Sequence, residues 1–114
     1  TITSNGNNLE SSNQCNLGAG EKVNTNPRLM ALTWNGGFSR TMALLPGSPA
    51  IDAADNVYCG YYDQRGFSGP LTSEIVSRNV DGDANGSIIC DMGAFEYHPE
   101  IDYKALVFLP LIKR

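Results

Sequence analysis

The first 26 residues offer almost nothing to bury. Asn, Ser, Gly and Thr dominate them, and the only aliphatic side chains larger than alanine are Ile2, Leu9, Leu17 and Val23. Single apolar residues spaced among turn formers cannot close a core of their own. They can contribute to one in a solenoid, where each coil stacks its few inward side chains on the coil before it. The alternative is disorder, which an Asn-rich composition keeps open for the first few residues. The expectation is that residues 1–55 pack and hydrogen-bond against preceding coils. These would come from a longer version of the same polypeptide or from a separate chain.

The whole chain has 114 residues, enough for one small domain with a thin core. Hydrophobic residues make up 41% and charged residues only 18%, which leaves room for many turn formers and favours short strands over helices. A net charge of −4 argues against a nucleic-acid partner, which calls for a basic stripe. No run approaches the roughly 18 apolar residues of a membrane span. The longest, Ala105 to Ile112, is interrupted by Pro110. The chain opens on Thr1 without a signal-peptide pattern, as expected of a mature or trimmed piece of something longer.

Turn signals divide the remainder. Pro27-Arg28-Leu29-Met30-Ala31-Leu32 runs into Asn35-Gly36-Gly37. Thr41-Met42-Ala43-Leu44-Leu45 follows as a short strand or helical turn, and Pro46-Gly47-Ser48-Pro49 is another turn before Ala50-Ile51-Asp52-Ala53. Residues 56–90 read as loop. Ile88 to Tyr97 reads as a strand, with Ile89, Phe95 and Tyr97 carrying the signal. None of the three cysteines, Cys15, Cys59 and Cys90, forms a C-x-x-C pair, so a zinc site is not expected. Buried free thiols are one reading. The preferred one is a Cys59–Cys90 disulfide stapling turn-rich segments, with Cys15 free or bonded outside this chain.

Three of these segments resemble one family in order. Leu44-Leu45-Pro46-Gly47-Ser48-Pro49-Ala50-Ile51-Asp52-Ala53, Asp63-Gln64-Arg65-Gly66 and Cys90-Asp91-Met92-Gly93-Ala94-Phe95-Glu96-Tyr97 are similar to motifs at the C-terminal end of choice-of-anchor Q domain proteins. Asn26-Pro27-Arg28-Leu29 and Asn35-Gly36-Gly37 fit the same order, so the resemblance spans roughly residues 5–97. Ala54 stands where Gly is usual, and Met92 replaces Ile. The resemblance implies a bacterial secreted protein with a right-handed parallel β-helix. The fold expected is therefore all-β: last coils over 1–55, an irregular loop-rich cap over 56–97, and an extended sorting or docking tail over 98–114.

Several residues carry possible chemistry. Asp52, Asp63, Arg65 and Asp91 could form an acid–base cluster for glycosidic bonds. The preferred reading makes them structural, with Asp capping backbone N–H groups and Arg65 forked onto a carboxylate. Ser48 lacks a G-x-S-x-G setting, and His98 lies beyond the last motif. Asp81-Gly82-Asp83-Ala84-Asn85-Gly86-Ser87-Ile88 matches the start of a calcium loop. Asp81, Asp83 and Asn85 would give side-chain oxygens and Ser87 its carbonyl. Asp91 would replace the usual Glu, since Met92 holds the twelfth position. A metal-free Asp/Asn/Gly turn is the alternative. Asn85-Gly86-Ser87 is also a glycosylation sequon, without consequence in a bacterial protein. Tyr58, Tyr61, Tyr62, Phe67 and Trp34 would either stack on surface carbohydrate or cover the end of a solenoid.

The expected function is non-catalytic. The chain would end and seal a secreted or surface-displayed β-helix, adhesin-like or within an envelope assembly, and calcium would be at most a structural ion. Two alternatives stand beside it. One is the end of a polysaccharide lyase or hydrolase whose active site lies upstream. The other is a subunit of a multi-chain surface complex.

Overall fold

Loops closed by side chains, rather than regular elements, shape the chain. The computed structural model describes residues 2–66 and 77–102. Phe67 and the apolar part of the tail, 103–114, lie outside the described residues. Within them the one helical element is a 3-10 turn, Asn56–Tyr58, whose N-cap Asp55 accepts the Val57 N–H. Strand pairing is limited to isolated bridges.

The polar N-terminal segment pairs with itself in parallel. Leu9 bridges Lys22, thirteen positions on, and Glu10 N and Lys22 N donate to Lys22 O and Asn8 O at 2.8 and 3.0 Å. Its Asn content has a local cause. Asn7, Asn16 and Asn24 hold φ of 62°, 52° and 50°, a left-handed backbone that Asn tolerates better than most residues. Glutamates close the loops: Glu10 Oε1 accepts the Gln14 and Cys15 N–H groups, and Glu21 Oε2 accepts Asn8 N at 2.8 Å. Glu21 Oε1 also accepts the Ser4 hydroxyl.

The Asn35-Gly36-Gly37 turn lies inside an antiparallel hairpin. Leu29 bridges Leu44 and Thr33 bridges Thr41. Four steps separate these pairs on the first arm and three on the second, so the first arm bulges by one residue. Asn35 Nδ2 ties the turn by donating to the carbonyl and hydroxyl of Thr41. Gly37 is needed twice over. Its φ is 77°, and a Cβ there would sit 2.5 Å from the Arg65 carbonyl oxygen. The hairpin turn is thus laid directly on the Asp63–Arg65 loop. Parallel pairing, among the described residues, is confined to 8–25.

The core is small. Ala43, Leu44, Ala50, Phe95 and Tyr97 form it, with Leu9, Met30, Ile51 and Met92 packed against it. No described residue before Thr41 is buried. The segments around Ala50 and Cys90 run past each other, joined by Met92 N to Ala50 O and Ala54 N to Cys90 O. The Cys59–Cys90 disulfide staples the same region, and Cys15 is free and exposed. A bridge enclosing 31 positions removes about 3–4 kcal/mol of chain entropy from the unfolded state. His98 and Asp102 are buried against this core. The start of the segment expected as an extended tail is therefore a turn, closed by Asp102 N donating to His98 O at 2.7 Å. No described helix is long and apolar enough to cross a membrane.

Candidate functional site

Among the described residues, more polar and charged side chains than apolar ones are buried, and Asp63, Arg65, Asp91, Glu96 and Asp102 among them form one network. Asp63 and Arg65 are its centre, with side chains 0% and 1% exposed. Arg65 Nη2 donates to Asp63 Oδ2 at 2.7 Å and Nε to the same oxygen at 3.0 Å. Nη2 also donates to the Glu96 carbonyl at 2.8 Å, and Nη1 lies 3.5 Å from Asp102 Oδ1. The guanidinium stacks 3.8 Å from the centre of the Phe95 ring. Asp63 is equally occupied: Oδ1 accepts Arg65 N and Oδ2 accepts Glu96 N, both at 2.8 Å. The sequence expectation of a structural Arg fork thus corresponds to a buried, multiply bonded pair.

Asp91 and Glu96 form the second half. Asp91 Oδ1 accepts Asp52 N at 2.8 Å and Oδ2 accepts Tyr97 N at 2.6 Å. Glu96 Oε2 accepts Asp91 N at 2.9 Å and faces Arg78 Nη1 at 3.5 Å, while Glu96 Oε1 is buried without a hydrogen-bond partner. Burial pushes Asp91 up to about 6. Burial, with the Asp91 charge beside it, pushes Glu96 up to about 8. Glu96 is therefore largely protonated at neutral pH.

Asp91, expected to close the metal loop, does not do so. Both its oxygens face inward and are held by main-chain N–H groups. The third carboxylate is Asp52 instead, whose backbone is left-handed (φ 51°). Asp52 Oδ1 accepts Gly82 N at 3.2 Å and Oδ2 accepts Asp83 N at 2.7 Å. Asp52, Asp81 and Asp83 each bring one oxygen within 4.8 Å of the others, and this cluster could hold a metal ion. Two oxygens bound to one calcium lie no more than about 5.2 Å apart, so the spacing and the hard-oxygen donor set fit. Asn85 and Ser87 help to close the loop. Asn85 N is held by Asp81 and Asp83, and Asn85 Oδ1 accepts Ser87 N.

Ser48 and His98 are spent separately. The Ser48 hydroxyl donates to Pro27 O at 2.6 Å, and His98 Nε2 donates to Ser77 O at 2.9 Å. Burial lowers the pKa of His98 and raises that of Asp102. Glu96, Arg78 and Asp102 are members of the network that the sequence reading gave no role, and His98 is one that it set aside. The one signal was Glu96 itself, a charge set between Phe95 and Tyr97 in an apolar strand. Tyr58, Tyr61, Tyr62 and Trp34 are exposed.

No protein-family model matches the chain, and neither curated proteins nor solved structures yield a match.

The raised carboxylates give a stability profile with a definite sign. A carboxyl whose folded pKa exceeds its unfolded value stabilises fully below the unfolded pKa. That stability is lost as pH rises through the folded value. For Glu96 the window runs from 4.5 to about 8, and for Asp91 from 3.8 to about 6. His98, whose pKa burial lowers, opposes this near and below the ordinary histidine value of 6.5, so the cleaner range is above neutrality. Chemical denaturation should show wild type losing up to about 1.4 kcal/mol per pH unit between about pH 7 and about pH 8. Glu96→Gln should be nearly flat there. A wild-type profile as flat as that of the variant would contradict a protonated Glu96.

Proposed function

We propose that this chain is the non-catalytic end cap of a right-handed parallel β-helix displayed outside the cell, as its resemblance to choice-of-anchor Q domain proteins implies. One observation carries the reading. The three motifs of the resemblance, far apart in sequence, meet in a single buried network that holds main chain. Asp52 N binds Asp91, Glu96 N binds Asp63, and Arg65 binds the Glu96 carbonyl. Carboxylates whose oxygens accept backbone N–H groups from inside a core are poorly placed to meet a substrate. Further support comes from the parallel Leu9–Lys22 bridge, the pairing sense in which successive solenoid coils stack. A disulfide is compatible with an oxidising compartment. Upstream coils, from this polypeptide or another chain, are the partner of the unburied 2–40 segment. Hydrogen exchange on the isolated chain tests this. Glu10, Lys22, Asn24 and Thr25 amides should exchange with little protection while Asp52, Glu96 and Tyr97 are strongly protected. A soluble monomer with strong protection throughout 2–26 would overturn the cap reading.

In the same reading the Asp52, Asp81 and Asp83 cluster binds calcium as a structural ion. It would pin the 81–87 loop to the Ala50–Ala53 segment. Calcium at about 5 mM should raise the melting temperature by about 5 °C or more, and Asp83→Asn should abolish most of that rise. An unchanged melting temperature in wild type, or an equal rise in the variant, would leave the loop as a metal-free turn.

A further inference from the structure

A cleft of about 470 Å³ opens between the N-terminal loop and the tyrosine-bearing segment. This lies within the size range of small-molecule sites. Its walls include Tyr58 and Tyr62, the amides of Asn5 and Asn7, and the carboxylate of Asp55. Among the described residues lining it there is no Leu, Ile, Val or Met. That excludes a site for an acyl chain or an apolar peptide anchor.

We propose that this cleft binds a neutral saccharide. The C–H face of a pyranose ring is apolar and stacks on an aromatic ring, while its hydroxyls take hydrogen bonds from amides and give them to carboxylates. Tyrosine supplies the flat apolar surface at low conformational cost.

The backbone that carries both rings is held in advance of any ligand. Tyr58 is 85% exposed, yet it sits on the 3-10 turn capped by Asp55 and next to the disulfide residue Cys59. Tyr62 is braced by the Tyr61 ring, edge-on at 4.6 Å, and its backbone bridges Ser77. Exposed aromatics on fixed backbone lose little freedom on binding.

Charge selects the class of sugar. Arg78 lines the cleft, but its guanidinium is committed to the carbonyls of Tyr62, Asp91 and Gly93 and to Glu96. The other charged residues on the wall are acidic, Asp55 and Asp91, and the chain as a whole is −4. An anionic polysaccharide or a nucleic acid is disfavoured on both counts.

The test uses amide chemical shifts of the whole 114-residue chain. The probes are maltohexaose, cellohexaose, xylohexaose, mannohexaose and N-acetylchitohexaose, with hexagalacturonate as the anionic comparison. At least one neutral oligosaccharide should shift amides in 5–7 and 55–62 and saturate at or below about 10 mM. Tyr58→Ala should weaken that binding about tenfold. Trp34→Ala, which removes an exposed aromatic outside the cleft, should leave it unchanged. The proposal is overturned if no neutral probe binds at that concentration. Tighter binding of hexagalacturonate, or binding insensitive to Tyr58→Ala, overturns it as well. The outcome is independent of whether the chain caps a solenoid.

Discussion

Everything in the described structure leans on one buried ion pair. Moving a carboxylate and a guanidinium out of water costs several kcal/mol each, and their attraction repays this only when the remaining lone pairs and protons are satisfied. Asp63 and Arg65 meet that condition closely. The guanidinium reaches Asp63, the Glu96 carbonyl and Asp102 and rests on the Phe95 ring, while the carboxylate accepts two backbone N–H groups. Together these bonds tie the 63–66 loop to Phe95-Glu96 and to Asp102. The hairpin turn joins the same point, because Gly37 presses on the Arg65 backbone. Lysine could not substitute, having neither the planar fork nor the stacking face.

Such a hub is needed because the apolar core is so small. Five buried apolar residues cannot organise segments that lack strands and helices to lend cooperativity. Carboxylates do the organising instead. Glu10, Glu21, Asp52, Asp55, Asp81 and Asp91 each accept backbone N–H groups that a sheet or helix would otherwise satisfy. The disulfide adds a covalent clamp across the same region. The cost is concentrated at Glu96, whose buried Oε1 has no partner and whose carboxyl keeps its proton as a consequence.

Parts of this arrangement were legible in the sequence and parts were not. The Cys59–Cys90 pairing followed from turn-rich flanks that benefit from a staple. The hairpin followed from Asn35-Gly36-Gly37, since only glycine combines positive φ with no side chain at the Arg65 contact. Asp63 and Arg65 read as structural because a short acidic turn holding an arginine suits a fork. The carboxylate nearest the Asp81 loop was misassigned, because sequence distance favoured Asp91. Asp52, which accepts the Gly82 and Asp83 N–H groups across thirty and more positions of sequence, takes that place instead. Glu96 was quoted within a motif but given no role, since its burial depends on Asp63 and Arg65 arriving from thirty residues away. The parallel pairing of 8–25 has no pattern of alternating residues to announce it. The buried turn at His98–Asp102 was read as tail because nothing nearby in sequence signals that Arg65 would reach Asp102.

The central claim is that the Asp63–Arg65 pair holds the second and third motif segments together. The most direct measurement is the unfolding free energy of Arg65→Met by chemical denaturation. Methionine keeps the alkyl bulk over Phe95 but leaves Asp63 charged and buried. The pair as described predicts a loss of about 3–5 kcal/mol, a large fraction of a small domain's stability. A loss of less than about 1 kcal/mol, the usual effect of a surface ion pair, would contradict it.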